Sequence, residues 1–219
     1  MSEARKAIFA RLNQRRVSAT KQDCKAPLAT KHLNKTEAKN LLIEKLQENR
    51  AEVYSIPSSS WTETLTAIAT ERGYKTWLFG KNLSGAKTAS KALESVSNEI
   101  SVIQYDSDYE TLREVLFHQV DVSVTSVKAA IAETGTLLLI PDKNEPRMMS
   151  LIPPVHIAIL KQSDIVTSFQ QIANNPPWQG KNMPTNILFI SSPSKTADIQ
   201  QTIAYGAHGP KKLIVLIIN

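Results

Sequence analysis

The chain reads as an α/β protein, three layers deep, whose mostly parallel or mixed sheet carries helices on both faces. Three observations predict this. From residue 51 onward, short β-rich apolar runs alternate with runs of helical period. The last run, residues 213–218, is continuously apolar, as a strand covered on both faces must be. With 219 residues, 42% of them hydrophobic and 21% charged, the chain can bury a full core.

Taken in order, Ala4, Ile8 and Leu12 fall at helical spacing and predict a short first helix. Residues 13–35 are polar and basic, contain Pro27 and hold no period, so they read as a linker or loosely held extension. Leu41, Leu42, Ile43 and Leu46 predict a second helix over 36–49, with Asn34 and Glu37 spaced for a capping box. Residues 1–50 are therefore read as a basic helical N-terminal extension and residues 51–219 as the α/β domain.

Within that domain, 51–56 is a strand, and Ser60-Trp61-Thr62-Glu63 offers a capping box for a helix that Gly73 ends. Strand 75–79, a turn at 80–85 and helix 86–96 follow, then strand 100–105, helix 108–117 and strand 120–125. Two apolar runs, 136–140 and 155–160, are too close for a long crossover helix, so they are either antiparallel or joined by one short helical turn. Helix 164–172, a Pro-rich loop, strand 186–190, helix 197–205 and strand 213–218 complete the expectation.

Composition excludes several classes. No apolar run approaches the ~20 residues that span a bilayer. Met1-Ser2-Glu3-Ala4-Arg5-Lys6 leads into an amphipathic segment rather than the apolar region of a signal peptide, which predicts a cytoplasmic location. Cys24 is the one cysteine, so the chain cannot close an internal disulfide or ligate an iron–sulfur cluster by itself. His32, His118, His156 and His208 are scattered without the spacing of a helical metal site, and no metal is expected. Residues 1–50 hold twelve Lys and Arg against five acids, a net +7, which leaves −1 for the rest of a chain whose total is +6. Phe9 is the one aromatic in that stretch, so base stacking is unsupported; the basic arm reads as a solvated face or a docking arm for an acidic partner rather than a nucleic-acid site.

Four constellations could carry chemistry. The loop Ser191-Ser192-Pro193-Ser194-Lys195-Thr196-Ala197-Asp198 follows an apolar strand and precedes an expected helix, so its hydroxyls and Lys195 could take a carboxylate or phosphate at the helix start; plain helix capping explains the same residues. It is no Walker loop, since the G-x-x-x-x-G-K pattern is missing. Glu133-Thr134-Gly135-Thr136 places a candidate base or nucleophile beside a glycine that permits close backbone approach; a strand-entry turn is the alternative. Arg147 could clamp a carboxylate with its planar fork, or pair with a neighbouring acid. His156, inside a strand, reads as a satisfied core histidine more than a functional one, while His208, between Gly206 and Gly209, is the better candidate for proton transfer. A serine-hydrolase triad lacks its G-x-S-x-G elbow.

Four segments in this order resemble the lactate utilization protein C family, the LUD domain proteins. They are Ala132-Glu133-Thr134-Gly135-Thr136, Ser150-Leu151-Ile152-Pro153-Pro154-Val155-His156-Ile157, Ser191 through Ile199, and Gly206-Ala207-His208-Gly209-Pro210, within roughly residues 120–219. The resemblance implies a fold similar to the sugar-isomerase and CoA-transferase-like α/β group. It also implies a role supporting oxidation of L-lactate to pyruvate beside two iron–sulfur partner proteins, which would carry the clusters while this chain carries no cofactor. A small carboxylate or other anion would be bound by Thr134, Gly135, Thr136, Arg147, Ser191, Ser194, Lys195 and Thr196, with Glu133 and His208 as acid and base. Serine stands at 192 where the family usually has glycine, and lysine at 195 where it usually has arginine, so a point charge replaces a bidentate fork. The segment 142–146 lacks the glycine often found before the arginine. An independent CoA-transferase-like or sugar-phosphate-isomerase-like enzyme built on Glu133, and a non-catalytic assembly protein, stay open as alternatives.

Overall fold

A computed structural model describes residues 3–14, 33–81, 83–105, 109–175, 184–197, 203–205 and 209–219. The chain divides into residues 1–30 and residues 31–219. In the first unit, α1 (Glu3–Gln14) buries none of its residues.

The second unit is built on a six-stranded, all-parallel sheet in the order β1-β12-β7-β4-β2-β3. Its strands are β1 (Glu52–Ile56), β2 (Thr76–Phe79), β3 (Ser101–Gln104), β4 (Val122–Ser126), β7 (Val155–Lys161) and β12 (Lys212–Ile218). Parallel neighbours need crossovers, and most of these are helices: α3 (Trp61–Arg72), α4 (Ala86–Val96) and α5 (Tyr109–His118). The period-2 alternation of each strand feeds two cores. Ile214 and Leu216 of β12, with Val155 and Ile157 of β7, pack under Trp61 and Leu65 of α3 and Ala89 and Leu93 of α4. On the opposite face Leu213, Val215 and Ile217, with Ala158 and Leu160, meet Ala38, Leu42 and Leu46 of α2 (Lys35–Glu48). The terminal strand β12 lies between β1 and β7, as its continuous apolar character predicts.

Helix α2, read from the sequence as part of the basic extension, is packed into this unit through those three buried residues. Its start is the expected capping box: Asn34 Oδ1 accepts from Glu37 N at 2.9 Å, and Asn34 N donates to Glu37 Oε2 at 2.9 Å. The box expected at Ser60 is absent. The Ser60 side chain makes no cap bond, and its carbonyl accepts from Thr64 N and Thr64 Oγ1 instead. Gly73 closes α3 in the left-handed region at φ 65°, as predicted.

Three expectations are corrected. Runs 136–140 and 155–160 do not pair. The first forms β6 (Thr136–Leu139) in a second, four-stranded sheet, β8-β5-β6-β9, whose β5-β6 and β6-β9 pairs are antiparallel, so of the two expected forms the six-stranded sheet takes the parallel one. Its other strands are β5 (Ala129–Ile131), β8 (Ile165–Val166) and β9 (Leu188–Ile190). Ala130, Ala132, Leu137 and Leu139 pack on the face of the parallel sheet that also carries α2. A 3-10 turn, Arg147–Ser150, leads into β7, so the short helical turn is present while the antiparallel pairing is not. Second, the helix expected over 164–172 is split: Ile165 and Val166, followed by Thr167, are β-branched and pair with β5, and α6 (Phe169–Asn174) begins after them.

Third, the described ends of the helix expected over 197–205 are strands instead. Lys195–Ala197 (β10) and Ile203–Tyr205 (β11) pair antiparallel, with Thr196 opposite Ala204, and Thr196, Ile203 and Tyr205 are strand-favouring residues. The loop after β9 therefore leads into a strand, and among the described residues the expected helix-start anion site has no helix to rest on.

Candidate functional site at the amino ends of β7 and β12

Four loops meet where the parallel strands β7 and β12 begin. Pro154 O accepts from Lys211 N and Lys212 N at 2.8 and 3.1 Å, which ties the start of β12 to the start of β7. Ser194 N donates to Pro210 O at 2.8 Å, which ties the loop after β9 to the same point. Gly209 lies against Ser194, whose Cβ would stand 3.1 Å from any Cβ added there. The hydroxyl of Ser191 is 2.8 Å from that of Thr136 at the start of β6, and Thr136 is 2.7 Å from Thr134.

These ties enclose a cavity of about 390 Å³. Ser191, Ser192, Pro193, Ser194 and Lys195 form one wall, Gly209, Pro210 and Leu213 a second, and Ser150, Leu151 and His156 the floor. Lys195 is exposed, while Ser191 and Ser194 are half-buried. His156 is fully buried; its Nε2 is 2.8 Å from Thr125 Oγ1, and its Nδ1 has no hydrogen-bond partner. Burial pushes the imidazole down to about 4, so the ring is neutral at neutral pH. The site can thus offer one exposed cation, several hydroxyls that donate or accept, and a neutral imidazole in the floor beside Ser150 and Leu151.

Of the residues singled out from the sequence, Ser191, Ser194 and Lys195 line this cavity, and Thr136 braces it through Ser191. Thr196 lies in β10, opposite Ala204 of β11. His208 lies outside the described residues. Glu133 and Thr134 are exposed on the turn between β5 and β6 and do not line the cavity; Glu133 N donates to Thr167 O at 3.0 Å. Gly135 does allow a close backbone approach, but to helix α2: it sits at φ 61°, and an added Cβ would stand 2.7 Å from Lys45 Cβ. Arg147 is exposed beside a small recess lined by Thr125, Ser126, Glu145 and Ser150.

Sequence reasoning missed Thr125, Ser150 and Glu145. Thr125 and Ser150 are small hydroxyl residues in or beside strand runs, and the one signal was that such buried positions must find partners. Glu145 belongs to a second crevice of about 410 Å³ at the carboxyl ends of the same sheet, lined also by Ser58, Trp61, Gly85, Lys128 and Lys161. Its Oε2 accepts from Ser126 N and Ser126 Oγ, each at 2.8 Å. Among the described residues, no three His, Cys, Asp or Glu side chains gather as a metal site would require, and no helix is long and apolar enough to cross a membrane.

The LUD domain profile matches residues 39–218. An uncharacterized protein of Neisseria meningitidis serogroup B is 35% identical over 169 residues, 77% of this chain and 72% of that one. A lactate utilization protein C of Macrococcus caseolyticus is 37% identical over 102 residues, and one of Bacillus subtilis 34% over 104. Those matches cover 44% and 43% of the two relatives' own lengths, so this chain spans under half of each. The crystal structure of a DUF162 family protein from Deinococcus radiodurans superposes with a TM-score of 0.59 at 19% identity, covering 86% of this chain and 100% of that one; it shares the fold.

Proposed function

This chain belongs to the LUD domain family, and on that premise we propose that it supports oxidation of L-lactate to pyruvate, holding a small carboxylate or related anion in the amino-end cavity. One observation carries the reading: three of the four segments that mark the family line this single cavity, and the fourth braces it through Thr136 and Ser191. The LUD domain match, residues 39–218, takes in every residue lining it, and relatives named for lactate utilization are 34–37% identical over just over 100 residues. Lys195 supplies the charge for a carboxylate, and Ser191 and Ser194 supply hydroxyl donors. The oxidation releases two electrons and two protons from the substrate. A chain with one cysteine cannot by itself ligate a cluster to accept the electrons, and in this reading the two cytoplasmic iron–sulfur partners that the family resemblance implies take that part.

The test is deletion of the gene in a strain without a second lactate dehydrogenase, followed by growth on L-lactate as sole carbon source. Loss of growth, restored by the wild-type chain and not by Lys195→Ala, is expected. Normal growth of the deletion strain overturns the reading.

An assembly role has its own supporting observation. Helix α1 exposes Ile8, Phe9 and Leu12 beside Arg5, Lys6 and Arg11, a surface suited to an acidic partner with an apolar seat. If high salt releases the partner proteins while Lys195→Ala retains full growth on lactate, assembly is the function.

A further inference from the structure

The floor of the amino-end cavity holds a group that the loop residues leave unused. His156 is the second residue of β7, and register places it beside Ser123 of β4. A buried polar atom without a partner is rare in a native fold, and a functional role, in catalysis or in binding a ligand, water or ion, is one of the few explanations for it. Nδ1 of His156 is such an atom, and its residue lines the cavity.

Thr125 indicates where the ring proton sits. Its hydroxyl carries one proton, and Nε2 of His156 is its hydrogen-bond partner among the described residues. When Thr125 donates to Nε2, the ring proton sits on Nδ1 and one donor waits for a partner. In the opposite tautomer the hydroxyl proton and the Nδ1 lone pair are both unsatisfied. The first arrangement wastes less, and it turns the histidine into a neutral donor.

Charge then sets the ligand's orientation. Lys195 is exposed at the loop, whereas His156 is fully buried and neutral. Burying a carboxylate costs far more than burying a carbonyl or hydroxyl, so the carboxylate belongs at Lys195 and a neutral oxygen at the floor. We propose that His156 is a ligand-binding residue that donates Nδ1–H to the oxygen on carbon 2 of a 2-oxo or 2-hydroxy monocarboxylate, with Thr125 fixing the tautomer. This rests on the cavity being the anion site proposed above, and it assigns the feature by which the site tells such acids from plain ones.

The test uses calorimetric titration of the full chain with pyruvate, L-lactate and propionate, the last of which lacks the carbon-2 oxygen. Pyruvate and L-lactate are expected to bind at least about tenfold more tightly than propionate, the value of a buried hydrogen bond in a dry site. His156→Leu removes that gap, and His156→Asn, which keeps a donor near the Nδ1 position, restores part of it. Lys195→Ala weakens all three probes alike. Nitrogen-15 spectra of the wild type give a readout that needs no variant: the Nδ1–H tautomer, with a His156 shift on adding pyruvate and none on adding propionate. Equal affinity for the three acids, an unchanged gap in a folded His156→Leu chain, or an Nε2–H tautomer overturns this assignment alone. A wild-type chain that binds none of the probes overturns the cavity reading with it.

Discussion

The two ends of the parallel sheet differ in what fills them. Open α/β sheets usually bind ligands outside the carboxyl ends of their strands, where neighbouring strands send their connections in opposite directions. In this chain that point lies between β2 and β4, and it is occupied from within. The side chain of Glu145 rests where Gly80 lacks one, so a Cβ on Gly80 would collide with Glu145 Cγ, and the carboxylate is satisfied by Ser126 N and Oγ. At the amino ends of β7 and β12 the polar groups are left open: an unpaired imidazole nitrogen, half-buried hydroxyls and an exposed lysine around about 390 Å³. A carboxylate of the chain fills the switch point at one end, beside a crevice of about 410 Å³, and among the described residues no carboxylate lines the cavity at the other. The family's segments gather at the end that lacks it.

The strongest way to break that contrast is to titrate His156. Its folded pKa, about 4, lies below the ordinary 6.5, so between those values the unfolded chain binds the extra proton. Stability from this group is therefore complete above pH 6.5 and lost as pH falls toward 4, by about 3 kcal/mol. Urea midpoints measured from pH 7 to 4 check this, and the His156→Leu chain should lack that part of the acid loss. A smaller effect tests the filled end. Glu145→Ala strands the Ser126 donors and should cost about 2 kcal/mol in urea unfolding, with affinity for pyruvate unchanged. The smallest expected effect is at the brace: Thr136→Val removes the bond to Ser191, costs about 1 kcal/mol, and weakens pyruvate binding a fewfold, as calorimetry would show.

How much of this was legible in the chain follows from strand length and direction. The parallel strands announce themselves because each is a sustained apolar run, and β12 with both faces buried is the clearest. The second sheet is hard to read because its pieces are two to four residues long, and Ala129–Ile131 has too few residues to show a period. The paired strands 195–197 and 203–205 are hard to tell from the helix expected over 197–205, because three-residue segments offer too few positions to separate one period from the other. At the site, Ser191, Ser194 and Lys195 could be picked out because a hydroxyl-rich loop beside a lysine has recognisable chemistry. Glu133 and Arg147 have equally suggestive chemistry and lie exposed elsewhere, since residue type does not say where a side chain points. The role of His156 depends on which ring nitrogen is occupied, and that requires the cross-strand contact with Thr125.

Hydrogen–deuterium exchange of the full chain with and without pyruvate compares the two ends in one measurement. The account expects added protection in peptides covering residues 188–197 and 209–213, with residues 80–85 and 141–146 unchanged. Protection confined to residues 80–85 and 141–146 would contradict it, placing the ligand at the carboxyl ends and leaving the amino-end cavity without one.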